Sequence, residues 1–96
     1  MIAVIFEVWP KPEHRTDYFD IAAELKPVLE QIDGFISVER FESLSEKGKF
    51  LSLSIFRDEA AVEAWRNTQS HRVSQGKGRA QIFANDRLRL ASVIRD

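Results

Sequence analysis

The chain holds only two histidines, His14 and His71, and the second stands in a string that could do chemistry: Trp65-Arg66-Asn67-Thr68-Gln69-Ser70-His71-Arg72. A neutral imidazole beside an indole and guanidinium groups could relay a proton or hold an acidic hydroxyl. The alternative is a helix-terminal histidine that bonds backbone carbonyls, with Trp65 a plain core residue. His14, beside Pro12 and Glu13, reads as a solvated surface group. Glu7 is the one ionisable residue in an otherwise apolar first strand. Burial would raise its carboxyl and make it a candidate base, whereas an arginine such as Arg89 across a subunit seam would keep it a structural ion. Gly76-Lys77-Gly78 lacks the spacing of a phosphate loop and reads as a turn. No pair of histidine and carboxylate residues has metal-ligand spacing, so no metal is expected, and no nucleophile elbow supports a serine triad.

These residues need elements to position them. Residues 2–9 form a first strand, stopped by Pro10 and Pro12. Tyr18, Ile21, Ala22, Leu25, Val28, Leu29 and Ile32 recur at helical spacing. That helix starts between Glu13 and Asp17, contains Pro27, and ends at Gly34 as a left-handed C′ residue. Residues 35–44 and 49–57 make a hairpin around Ser45-Glu46-Lys47-Gly48. Asp58 is a good N-cap for a second helix to about Gln69, with Ser70 capping a further short turn that carries His71 and Arg72. Residues 82–95 are the last strand. The order predicts an α+β fold: a ferredoxin-like βαββαβ unit with a four-stranded antiparallel sheet, in one domain over residues 1–96.

Strand one is apolar on both faces apart from Glu7, and strand three alternates Leu51, Leu53 and Ile55 with Phe50, Ser52, Ser54 and Phe56. Two helices cover only one face of such a sheet. The other is expected to carry Ile5, Trp9, Phe35, Phe41, Phe50 and Phe56, more aromatic surface than a monomer leaves in water. A second copy is the simplest cover, which predicts a homodimer packed sheet to sheet, with Glu7, Glu39 and Arg89 pairing near the seam.

With 96 residues, the chain buries roughly 65% of its unfolded surface, enough for one small core and too little for two. Cysteine is absent, which excludes disulfides and thiolate chemistry. No apolar run approaches a membrane span, and a cytoplasmic protein is the expectation. The net charge of −1 conceals a split: 7 Lys+Arg against 13 Asp+Glu through Trp65, and 7 against 2 from Arg66 onward. The basic part could attract anionic ligands, or the two parts could pair with each other. The βαββαβ order is shared with RNA-recognition domains. Here Lys49 stands where an aromatic should follow Gly48, and the sheet region is acidic, so no nucleic-acid partner is expected.

Several segments together carry a resemblance. Val38-Glu39-Arg40-Phe41-Glu42-Ser43-Leu44, the stretch Leu51-Ser52-Leu53-Ser54-Ile55-Phe56-Arg57-Asp58-Glu59, Ala64-Trp65-Arg66 with Ser70-His71-Arg72, and the ending Arg87-Leu88-Arg89-Leu90-Ala91-Ser92-Val93-Ile94-Arg95-Asp96 resemble the antibiotic biosynthesis monooxygenase domain. The resemblance implies a dimeric α+β barrel with a pocket between sheet and helices in each protomer. It implies oxidation of phenolic or quinol-like aromatics by O₂ with no cofactor, neither metal nor flavin. By position it gives Trp65 to stacking on the substrate ring and His71 to hydrogen bonding or proton transfer. Arg66 and Arg72 would hold a phenolate or acidic substituent, and Phe83 is grouped with them as a substrate contact. One branch of the family degrades haem, using an Asn in the first strand and an axial His further past the Trp. This chain has no Asn before Asn67, and Gln75 stands about where that His would fall, which sets haem degradation aside. The expected function is a cofactor-independent monooxygenase of a small aromatic or quinol-like ligand. The other reading is a binding or sensing module of the same fold that catalyses nothing.

Overall fold

Pro12 opens a short 3₁₀ turn, Pro12–His14, and this turn carries the chain from the first strand, β1 (Ile2–Pro10), into the first helix, α1 (Arg15–Glu30). The computed structural model describes residues 1–75 and 83–96, with the side chains of 1–68 and 83–96. After α1 come β2 (Phe35–Glu42), β3 (Phe50–Phe56), α2 (Glu59–Gln75) and β4 (Phe83–Ser92). The sheet has the order β2-β3-β1-β4, and every neighbouring pair is antiparallel. This is the βαββαβ arrangement expected from the sequence. No helix among the described residues is long and apolar enough to cross a membrane.

Local chemistry sets the boundaries. α1 continues through Pro27 but closes at Glu30, short of Gly34. Gln31 and Ile32 donate to the carbonyls of Val28 and Leu29, tightening the last turn before the chain leaves. Gly34 does adopt positive φ, at 94°, and a Cβ there would lie 2.7 Å from that of Ala61 in α2. Glycine thus serves both the turn and the close helix approach. Asp58 caps α2 as expected, its Oδ1 accepting from the Ala61 N–H at 3.0 Å. The expected break at Ser70 does not occur, and α2 runs on to Gln75. Thr68 satisfies its hydroxyl inside the helix by donating to the Ala64 carbonyl at 3.0 Å. The hairpin strands are shorter than expected, ending at Glu42 and resuming at Phe50, with Gly48 at φ 80° in the turn. The turn proposed at Gly76-Lys77-Gly78 lies outside the described residues.

Both helices lie on one side of the sheet, and the side they cover differs from the one expected. Phe50, Ser52, Ser54 and Phe56 face the helices and are buried. Leu51, Leu53 and Ile55 share the open face with Ala3, Ile5 and Glu7, their partners across the ladder. A β-bulge explains part of the reversal. Phe35 pairs with Phe56, the register then shifts before Ser37, and Val38 and Arg40 fall opposite Ser54 and Ser52. A one-residue slip moves a whole strand to the other face, so Val38 and Arg40 look toward the helices and Glu39 and Phe41 away. Phe35, Phe50 and Phe56 are therefore core residues, and the open face keeps Ile5, Trp9 and Phe41 from the expected set.

Candidate functional site

The helix-covered side of the sheet does not carry one continuous apolar layer. One cluster gathers Val4, Leu29, Phe56, Ala61, Val62 and Trp65. A second gathers Val8, Tyr18 and Phe50, with Phe6, Ile21 and Phe83 packed against it. Where the clusters meet, two rows of the sheet include polar side chains: Arg40, Ser52 and Phe6, then Val38, Ser54 and Val4. Ser52 and Ser54 are both buried, in positions where leucines would have closed the core.

Tyr18 reaches this region because α1 turns the stripe Tyr18, Ile21, Ala22 and Leu25 toward the sheet. Its ring stands 5.9 Å from Phe50 and meets Phe83 edge-on at 5.8 Å, while Phe83 meets Phe6 edge-on at 6.0 Å. Tyr18 is 5% exposed, and its hydroxyl is sealed from solvent next to the Arg40 side chain. Burial pushes its phenol above the ordinary tyrosine range, and the nearby Arg40 guanidinium opposes that rise. The Nε of Arg40 is likewise sealed and has no hydrogen-bond partner. At the rim, Arg15 donates to Glu42 at 3.3 Å and lies 5.1 Å over the Phe50 ring.

The open face has a different polar centre. Glu7 Oε2 accepts an ion pair from Lys49 at 2.7 Å, and Arg89 and Arg87 approach its other oxygen at 3.6 and 3.8 Å. The Lys49 hydrogen bond, with the two arginines, holds the Glu7 carboxyl below the usual carboxylate range against the opposing effect of burial. The candidate base suggested by the sequence is thus a carboxylate fixed in its charged form, and Arg89 pairs with it within the chain. Lys49 also lies 5.2 Å over Trp9, whose indole N–H donates to Glu46.

The model of the antibiotic biosynthesis monooxygenase family matches residues 1–77. The chain belongs to this family. A jasmonate monooxygenase of Pyricularia oryzae is 45% identical over 93 residues, covering 97% of this chain and 43% of its own. The chain therefore spans less than half the length of that relative. Rv0793 from Mycobacterium tuberculosis superposes with a TM-score of 0.84 at 16% identity, over 99% of this chain and 96% of that one. PA3566 from Pseudomonas aeruginosa gives 0.80 at 17%, over 98% and 94%. At these identities the two structures establish the fold.

Set on this monooxygenase-family fold, the residues expected to act do not all converge. Trp65 is buried in the first cluster, packed with Val4, Leu29 and Phe56. Phe83 joins the aromatic group around Tyr18. Arg66 is exposed and lies 3.7 Å from Glu63 on the outer side of α2. The α2 backbone passes through His71 and Arg72, but their side chains lie outside the described residues. In one unbroken helix residue 72 falls two turns after Trp65, and residue 71 about 120° around the axis from Trp65. His14 bonds Asp17 at 2.7 Å at the start of α1, and the pair is half-buried rather than solvated. Among the described residues no cluster of histidine and carboxylate groups could hold a metal ion. Reading the sequence passed over Tyr18, Arg40, Ser52 and Ser54. Tyr18 looked like one more apolar stripe residue, and the bulge hid the face of Arg40. The two serines were the available signal, because serine between phenylalanines on a core face demands a polar partner.

Proposed function

We propose that the chain is a cofactor-independent monooxygenase that uses O₂ on a small aromatic or quinol-like substrate held between the sheet and its helices. The observation that carries this reading is the polar break that Ser52 and Ser54 make in the covered side of the sheet, where two apolar clusters meet. In this reading a ligand ring lies between the aromatic group of Tyr18, Phe50 and Phe83 on one side and the cluster that holds Trp65 on the other. Membership of a monooxygenase family, and 45% identity to a jasmonate monooxygenase, support oxygenation as the reaction class.

In this mechanism His71 takes the proton of a substrate hydroxyl. The electron-rich anion passes one electron to O₂, and recombination forms a bond from oxygen to a ring carbon. Loss of water from the hydroperoxide leaves a carbonyl. One oxygen atom enters the product, the other leaves as water, and the substrate supplies all four electrons. The protein deprotonates, orients and excludes water. With 1,4-naphthohydroquinone as probe, the expected result is oxygen uptake above the protein-free rate. Uptake no faster than that control, for this probe and for jasmonic acid, would contradict the reading, and tight binding without uptake would favour a binding module.

The proposal includes a homodimer joined by the open faces. Ile5, Leu51, Leu53 and Ile55 form an apolar field around the paired Glu7, and Phe41 is 42% exposed beside it. A stable seam needs about 800 Å² from each copy, a large share of one sheet face. Light scattering at micromolar concentration is expected to give twice the mass of one chain, and a single-chain mass would contradict the dimer.

A further inference from the structure

We propose that Arg40, with the Tyr18 hydroxyl beside it, is the anchor that binds an oxyanion of the ligand, a phenolate or a carboxylate. The inference rests on the placement of the ligand site between the sheet and its helices and assigns the chemical group that orients the substrate there. Arg40 belongs to an edge strand, yet its register opposite the buried Ser52 turns it toward the helices. The side chain is half-buried, its Nε is sealed from solvent with no acceptor, and the sealed Tyr18 hydroxyl lies next to the guanidinium. A sealed guanidinium N–H with no acceptor is costly to keep, and a folded protein retains one where something else supplies the acceptor.

No carboxylate among the described residues neutralises Arg40. Glu42, next along the same face of β2, is engaged by Arg15 at 3.3 Å. Glu39 lies on the opposite face, and the stripe of α1 above the sheet is Tyr18, Ile21, Ala22 and Leu25, which carries no acid. A half-buried guanidinium with no carboxylate partner among the described residues attracts an anion, and its planar fork suits two oxygens of a carboxylate or one phenolate oxygen. Because burial raises the Tyr18 phenol, its hydroxyl keeps its proton and stays a donor. The ring of a ligand so held lies toward Phe50, Phe6 and Phe83.

Calorimetric titration of the full chain tests the anchor with two pairs of compounds: jasmonic acid against its methyl ester, and, under anaerobic conditions, 1,4-naphthohydroquinone against its dimethyl ether. In at least one pair, methylation is expected to weaken binding by roughly 10- to 100-fold, the worth of a hydrogen bond to a charged group. The pair that responds identifies the oxyanion as carboxylate or phenolate. Arg40→Met is expected to lose the same factor while its melting midpoint does not fall, since no carboxylate among the described residues pairs with the charge. Arg40→Lys should regain part of the affinity, and Tyr18→Phe should lose a smaller factor. Equal binding of methylated and free compounds, unchanged affinity in Arg40→Met or Arg40→Lys, or no binding of either free compound would overturn the proposal. Arg40-dependent binding without oxygen uptake would support the anchor and refute the monooxygenase reading, whereas uptake that survives Arg40→Met unchanged would refute the anchor alone.

Discussion

Phe56→Ala is expected to destabilise the fold by about 3–5 kcal/mol, a large part of the 5–15 kcal/mol that holds an ordinary domain together. Phe56 has no exposed surface. It ends β3 beneath both helices, packed with Leu29 of α1 and Val62 and Trp65 of α2, and its ring meets Phe35 edge-on at 5.9 Å. Removing it leaves a cavity where two helices and two strands converge, and the backbone cannot collapse to fill it. The adjacent Arg57 N–H is fixed by the Gly34 carbonyl at 2.7 Å, and Gly34 already lies against Ala61. Urea denaturation reads the loss as a lower midpoint. Phe41→Ala, on the open face, supplies the contrast, with an expected effect on the isolated chain of less than about 1 kcal/mol. Equal losses at the two positions would mean that the faces of the sheet have been assigned wrongly.

His71→Ala is expected to slow oxygen uptake by about 100- to 10,000-fold, the range a positioned general acid or base contributes. The melting midpoint should be unchanged. The imidazole would take the substrate proton, so the pH profile of the wild-type rate should contain an ionisation in the histidine range that the variant lacks. His14→Ala serves as the control. Its imidazole is bonded to Asp17 at the start of α1, in a half-buried pair away from the proposed ligand site, so uptake should be retained. A His71→Ala protein that turns over at the wild-type rate would leave proton transfer to another group.

The fold was legible because each of its elements carries its own local signal. Pro10 and Pro12 mark the end of the first strand, Asp58 caps α2, and Gly34 and Gly48 supply the two positive-φ positions among the described residues. The faces of the sheet were harder, because β1 is apolar on both sides and β3 offers leucines on one face and phenylalanines on the other. Local pattern cannot decide which face the helices choose, and the bulge between Phe35 and Ser37 is invisible to alternation. This one slip carried Arg40 into the covered side and out of view. Glu7 was singled out correctly as an ionisable group in an apolar strand. Its state, however, depends on Lys49, Arg87 and Arg89, which come from distant parts of the chain. The end of α2 was misplaced because Asn67, Thr68 and Ser70 are weak helix formers that a continuing hydrogen-bond ladder accommodates.

Mass spectrometry of the product formed from 1,4-naphthohydroquinone under ¹⁸O₂ addresses the catalytic claim most directly. The mechanism requires 2-hydroxy-1,4-naphthoquinone that carries one labelled oxygen atom, with the other atom in water, formed faster than in a protein-free control. Unlabelled 1,4-naphthoquinone alone, appearing at the control rate, would contradict it.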